Sequence, residues 1–482
     1  MTDKKHYFII LTPIILIIVN FILKILFLSF NSVGGDEPFS IYHAQMDVSS
    51  IIHHLSYGNN PPFYEIMLHF WIKIFGISEF SVRFPSLIFS VSTVYFVYKI
   101  GKDFFSYSSG LVAGLLFTFS NYQLAFSHEA RVYALFALLT AVSMFLFLII
   151  CRKPDSFIHL FFLLVINVIL LYSHYFGFFI ITIQTIAMLI FKEIRKPLMR
   201  KYLVYFILLL LLYIPNLNII ITRFFDTSIH GSWVKSPNGI ESIYNMLWQF
   251  SNKPITTVIS IIILFAAFIK SIFGRDLKSI SVNTKIVLIW FLLPFFSMFV
   301  FSFWIPMFLD RYLIFVSLGY YLVLAFCAAY IFQQRKLRLM IPGILILFFA
   351  ATFNPNVDNN RHVKETIGKI KELKDQNTAV LICPQHFILN FAYYFDRDVF
   401  RDVDGQHVYS GMIENFKKDK IFAVNKVDEA PLDGFEKIVY LDAAAQFSCP
   451  DNNIVSTLNK NFLLKSTHPF YEIFTVYEFI KK

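Results

Sequence analysis

Ser32-Val33-Gly34-Gly35-Asp36-Glu37-Pro38 breaks the chain directly after an apolar run that reaches from Phe8 to Phe30. A helix needs about 20 consecutive apolar residues to cross a bilayer, and this run has them. Two carboxylates on a Gly-Gly turn at its end are costly beside hydrocarbon unless they face water, a partner or a substrate. The stretch therefore decides the fold class, a polytopic α-helical membrane protein, and marks a polar floor at the membrane surface as the place to look for chemistry. A second break of the same kind, Ser127-His128-Glu129-Ala130-Arg131, separates two later apolar runs.

Composition agrees with the membrane class. Of 482 residues, 57% are hydrophobic, 59 are Phe and 15% are charged, against roughly 25% charge in an average soluble domain. The net charge of +10 is unevenly placed: residues 1–353 hold 26 Lys and Arg with 14 Asp and Glu, while residues 354–482 hold 16 with 18. Basic residues in a membrane region are accounted for by orientation, which leaves a nucleic-acid partner without support.

Eleven apolar runs are expected to cross, near 8–30, 82–98, 109–126, 132–150, 157–173, 177–191, 202–222, 255–270, 286–304, 312–332 and 339–353. The loops on the N-terminal side of this alternation carry 18 of the 26 positive charges, those on the far side seven, and Lys24 lies within the first run. That split predicts a multi-pass protein of the plasma (inner) membrane with a cytoplasmic N-terminus and, after an odd number of spans, an extracytoplasmic tail. Nine of the 14 acids fall on the outer face. Acids do not set orientation, so their excess marks that face as the working one. The first run is longer than the roughly 7–15 residues of a signal-peptide core and lacks a small-residue cleavage site, so it reads as a retained span.

Outside the runs, the loop 31–81 reads as two half-buried interfacial helices, one from Phe39 through Leu55 and one from Pro61 through Phe75 closed by Gly76. The loop 223–254, with Trp233, Pro237, Gly239 and Trp248, is long enough for a lid. After Asn354 the pattern becomes that of a small α/β domain: a helix over Val363–Lys374 and strands at Ala379–Cys383, Ile421–Asn425 and Ile438–Leu441. The expected domains are thus residues 1–353 and 354–482. Cys151, Cys327, Cys383 and Cys449 form no metal or redox motif, and Cys383 and Cys449 are placed to pair or to remain free thiols.

Three clusters carry candidate chemistry. Asp36 and Glu37 suit a general base acting on an acceptor hydroxyl or amine, or a turn acid and helix cap. Glu129 and Arg131 point to different faces of a helix, which excludes a simple i, i+4 pair and leaves function or snorkelling to water. Asp310-Arg311-Tyr312 offers a guanidinium suited to a phosphate oxygen, or an interfacial anchor.

The runs Asn60-Pro61-Pro62-Phe63-Tyr64, Leu68-His69-Phe70-Trp71, Phe75-Gly76, Ser78-Glu79-Phe80, Val82-Arg83-Phe84-Pro85-Ser86 and Ser127-His128-Glu129-Ala130-Arg131-Val132-Tyr133-Ala134-Leu135 resemble the protein O-mannosyltransferase and aminoarabinose (ArnT-like) transferase clan. These are multi-span glycosyltransferases of the GT-C fold. The resemblance spans roughly residues 30–150. It implies inverting transfer of a sugar from a polyprenyl-phosphate carrier to a lipid, glycan or protein acceptor of the envelope. By the same resemblance Asp36, with Glu37 beside it, is the first-loop acid, Glu129 the second-loop acid and Arg131 the adjacent arginine. Where some relatives place a Lys before the Pro-Pro pair, this chain has Asn60, so Arg83, Arg131 or Arg311 is expected to supply the charge at the carrier phosphate. Tyr64, His128 and Tyr133 are expected to line the acceptor site. A divalent ion shared by Asp36 and Glu129 is the open cofactor question, with His43, His53, His54 or His128 as softer ligands. Two other functions stay in view: an oligosaccharide ligase or polymerase with a lipid-pyrophosphate donor, and a transporter or flippase. The second is disfavoured because no acid lies within any run.

Overall fold

The computed structural model describes residues 2–56, 58, 60–230, 234–274, 280–331, 334–358, 362–402, 410–432, 434–470 and 473–482. It divides into two compact units: Met1–Leu26, His53–Tyr64 and Arg83–Pro355 form one, and Phe27–Ile52, Glu65–Val82 and Asn356–Lys482 the other.

Helices occupy the apolar runs of the first, membrane unit. They span Thr2–Ile25, Glu79–Phe104, Tyr107–Thr118, Asn121–Ser127, Tyr133–Arg152, Phe157–Ser173, Gly177–Ile190, Lys192–His230, Pro254–Phe273, Val282–Phe301, Ile314–Tyr330 and Arg335–Thr352. Among the described residues, six helices are long and apolar enough to cross a membrane, and four shorter apolar ones accompany them. The protein is a multi-pass membrane protein. The run 109–126 is not one helix: it breaks at Phe119-Ser120, where the Ser120 hydroxyl accepts the Gln123 N–H and starts a new helix. Much of the expected lid is helical, because Lys192–His230 runs into it and Glu241–Phe250 follows. Trp233, and Arg275 and Lys278 of the charge count, lie outside the described residues.

Helix contacts in this unit follow membrane rules, in which small residues and satisfied polar groups replace the hydrophobic drive. Gly101 and Gly110 let two backbones meet: a Cβ on Gly101 would stand 2.6 Å from the Gly110 Cα. Four helices are tied by a closed polar cluster. Ser143 donates to Asn167 at 2.5 Å, Asn167 to Gln184 at 2.9 Å, and Gln184 back to Ser143 at 2.8 Å, with the Tyr205 hydroxyl also accepting from Asn167. Lys24, the cation within the first run, is buried with its Nζ 2.7 Å from Ser90 Oγ and 4.6 Å from the centre of the Phe117 ring. That accounts for it as a structural residue.

The second unit is built on a five-stranded sheet: β1 (Thr378–Cys383), β2 (Ile421–Ala423), β3 (Lys437–Ala443), β4 (Phe462–Phe470) and β5 (Phe474–Lys481), in the order β2-β1-β3-β5-β4. β1 pairs parallel with β2 and β3, and is buried at all six positions as a central parallel strand should be. β5 runs antiparallel to both β3 and β4, a hairpin that the apolar pattern did not disclose because β4 is mostly exposed. The Val363–Leu373 helix falls where expected. All four cysteines are free thiols; Cys383 and Cys449 both approach Asn425, at 3.9 Å from its carbonyl and 3.4 Å from its Oδ1.

The expected two interfacial helices of the loop 31–81 are three: Glu37–Ala44, Val48–Leu55 and Phe63–Phe75. Asp47 makes the extra break, since its carboxylate accepts the backbone N–H groups of Ser49 and Ser50 at 2.9 and 3.1 Å and caps a fresh helix. Glu37–Ala44 is no half-exposed surface helix either, being buried at every position but Phe39.

Candidate active site

Asp36 and Glu37 belong to the sheet-containing unit. Gly35 sits at φ +59, open to glycine without steric penalty, and turns the chain sharply. The two acids leave this turn into opposite environments. Glu37 is fully buried, and its Oε2 accepts the Gly34 N–H at 3.2 Å. Asp36 is exposed, and its side chain makes no cap bond to the following helix. The turn-holding role weighed for the pair thus falls to Glu37.

A helix from the tail, Ile388–Phe395, pins this turn. Asn390 Nδ2 donates to the Gly35 carbonyl at 3.2 Å. The Tyr394 hydroxyl accepts the Val33 N–H at 2.7 Å and donates to Glu79 Oε1 at 2.6 Å. Tyr393 donates to the Ile77 carbonyl at 2.7 Å. His386 lies within the field of Asp36: the surrounding protein lowers its pKa by desolvation, and the Asp36 charge pulls it the other way. Sequence reading missed these four residues. Their one signal was the spacing of Asn390, Tyr393 and Tyr394, which puts polar atoms on a single helix face within an apolar run.

Glu129, Arg131, Arg83, Arg311, Tyr64, His128 and Tyr133 belong to the membrane unit. The turn 128–132 joins the Asn121–Ser127 and Tyr133–Arg152 helices. His128 donates from Nε2 to the Lys24 carbonyl at 2.6 Å, which fixes the ring. Glu129 is half-buried and its carbonyl accepts the Arg131 N–H at 2.8 Å. Arg131 is buried, as is Tyr133, whose ring meets Phe126 at 5.3 Å. Asp310–Leu313 forms one 3-10 turn: the Asp310 Oδ1 takes the Arg311 N–H at 2.7 Å, and the Asp310 carbonyl accepts the Tyr122 hydroxyl. Arg311 is half-exposed; Arg83 and Tyr64 are buried near the starts of their helices.

Within this unit the structure gathers Tyr133, His174 and Tyr312, with the Arg131 charge acting on the His174 ring. Nearby in sequence, Leu171 and Phe178 line an apolar cavity of about 230 Å³ between Phe157–Ser173, Gly177–Ile190 and Lys192–His230, completed by Ile181, Phe206, Leu209 and Tyr213 among others. Among the described residues no three His, Cys, Asp or Glu side chains form a metal-binding group. His43, a softer candidate, has its Nδ1 on the Phe39 carbonyl at 2.8 Å. No step below runs through an ion.

Residues 59–219 match the model of the dolichyl-phosphate-mannose-protein mannosyltransferase family. Over 98% of both chains the structure is similar to ArnT from Cupriavidus metallidurans in the apo state, with TM-score 0.60 at 10% identity. The chain has the GT-C fold of membrane glycosyltransferases. The family segment over 59–219 makes it an enzyme of that class, a glycosyltransferase. ArnT bound to undecaprenyl phosphate is similar over the same 98% of each chain, with TM-score 0.55 at 11% identity. The Archaeoglobus fulgidus oligosaccharyltransferase in complex with Zn and sulfate matches over 89% of this chain and 67% of its own, with TM-score 0.54 at 12% identity. No curated protein sequence matches the chain.

Proposed function

We propose that this glycosyltransferase moves a sugar from a polyprenyl-phosphate carrier to an envelope acceptor, a lipid, glycan or protein, on the outer face of the plasma membrane, with inversion. The family match carries the reading: residues 59–219 match the model of a family described by a dolichyl-phosphate sugar donor, and the matched segment contains Arg83, Glu129 and Arg131. Asp36, exposed on its turn, takes the proton of the acceptor hydroxyl or amine as that atom attacks the anomeric carbon. The bond from that carbon to the phosphate oxygen breaks on the opposite side, and its electron pair leaves on the polyprenyl phosphate. Arg131, with Arg83 and Arg311, offsets the charge gained there, and a buried guanidinium does so with little screening by water. The apolar cavity beside Leu171 and Phe178 suits an isoprenoid tail. Residues 1–353 would then be the transmembrane transferase domain and 354–482 an extracytoplasmic domain.

Incubating the purified protein with a panel of radiolabelled polyprenyl-phosphate sugars should show one label leaving the lipid. Transfer only from a lipid-pyrophosphate donor would instead support the ligase reading. Zn accompanies the archaeal oligosaccharyltransferase; full activity after exhaustive chelation assigns the counter-charge here to arginine alone. A cysteine placed near Asp451 should be labelled from outside intact cells, as the 18 to seven split of positive charge requires. Protection of that site reverses the topology.

A further inference from the structure

His174 lies between the Phe157–Ser173 and Gly177–Ile190 helices and is 2% exposed. Aromatic rings hold it in place: Phe136 stacks on it at 4.5 Å and 12°, Phe176 at 5.4 Å and 29°, and Tyr312 meets it edge-on at 6.0 Å. The Phe176 backbone N–H donates to its Nδ1 at 3.2 Å. A neutral imidazole that accepts at Nδ1 carries its proton on Nε2 and can only donate there. Burial first, and the Arg131 charge second, hold its pKa down to about 3, so the ring stays neutral at working pH. The Nε2 atom is buried and has no hydrogen-bond partner among the described residues.

An unmet buried donor is destabilising, and phenylalanine would stack in this place without that penalty. The arrangement makes sense if an acceptor arrives from outside the chain. Because the Arg131 charge acts on this ring, an anion is the acceptor this position favours. Leu171 and Phe178, three and four residues away, line the apolar cavity, so the same neighbourhood offers room for a hydrocarbon tail.

We propose that His174 donates its Nε2–H to a phosphate oxygen of the lipid carrier, alongside Arg131, and so fixes the headgroup for departure. This rests on the polyprenyl-phosphate reading above. A carrier phosphate goes from a diester monoanion to a monoester dianion as the sugar leaves, so the bond strengthens along the reaction and acts on turnover as well as on affinity. A neutral donor also adds geometry without a second positive charge.

The test is binding of undecaprenyl phosphate to the purified full chain, with undecaprenol and inorganic phosphate as controls. His174→Phe should fold with an unchanged or higher Tm, bind undecaprenyl phosphate about tenfold or more weakly, and leave any weak undecaprenol binding as it was. His174→Gln, whose amide N–H reaches the Nε2 position, should recover most of the loss. Should the Phe variant not fold, His174→Asn, too short to reach that position, should show the same weakening. Wild-type affinity in His174→Phe, or a lowered Tm with affinity intact, overturns the proposal and makes His174 a structural residue. Saturation by inorganic phosphate but not by the lipid overturns the carrier assignment. If the wild-type chain itself binds no polyprenyl phosphate, the proposed function falls and this inference with it.

Discussion

The Gly34-Gly35-Asp36 turn and the turn from His128 to Arg131 both put charge into apolar sequence, yet they are built in opposite ways. The first is pinned by polar bonds from Glu37, Asn390 and Tyr394, and it leaves its acid exposed. The second sits among membrane helices, and it buries its arginine. The difference fits what each charge can do. A carboxylate that must gain and lose a proton is served by contact with water, which lets it exchange that proton. A guanidinium stays charged in any environment, so burial strengthens its field without neutralising it.

The sharpest break of this comparison is at the acid. Asp36→Asn should lower kcat by about 10² to 10⁴ while the fold survives. Glu37→Gln should cost less turnover and more stability, because its carboxylate holds the turn. Measured at equal folded concentration with saturating donor, a dead Glu37→Gln beside an active Asp36→Asn would exchange the two roles.

Arg131→Ala comes next. Losing a charged hydrogen-bonded contact of about 1.5–3 kcal/mol should reduce kcat/KM for the donor by roughly 10- to 150-fold. Unchanged donor kinetics would remove Arg131 from the phosphate.

A smaller effect is expected at the pins. Tyr394→Phe deletes the hydroxyl shared by Val33 and Glu79 and should destabilise by about 1–3 kcal/mol, read as a lower Tm of the purified protein. Turnover should fall with it, since the turn that carries Asp36 loosens. A Tm and a turnover both at wild-type values would mean that the turn is held by its own backbone.

Acid should separate the two units last and most gently. Burial disfavours the charge on Glu478, but bonds from Ser466, Lys465 and Lys437 outweigh this and hold its pKa at about 2. Its contribution is therefore full above the unfolded value near 4.5 and is lost as pH falls toward 2. His174 is lowered from 6.5 to about 3, so the unfolded chain binds its proton first and the membrane unit loses stability as pH falls from about 6.5 toward 3. Unfolding followed in the two units between pH 7 and 2 should show the membrane unit weakening at the higher pH. Glu478→Gln should flatten the lower step, and His174→Phe the upper one.

Much of the fold was legible along the chain. Apolar length located the helices, because a bilayer imposes one rule on every span. The Pro-Pro start and the Gly76 stop located the Phe63–Phe75 helix to within two residues. What misled was local capping chemistry inside otherwise apolar or mixed segments. Ser120 and Asp47 each restarted a helix where periodicity read straight through. The β4–β5 hairpin was hidden because β4 turns mainly to solvent.

By itself, the sequence determined that this is a many-helix membrane protein with a small α/β tail and with acids and arginines at the breaks between its apolar runs. Composition and charge are properties that add up residue by residue, so they can be read without coordinates. Only the tertiary structure decided which acid of the 36–37 pair is exposed, that residues 388–395 of the tail pin a turn some 355 positions earlier, and that His174 is left with a buried donor within the field of Arg131. Those outcomes depend on which groups meet through space and on which polar atoms find partners, and neither is written in the order of the residues.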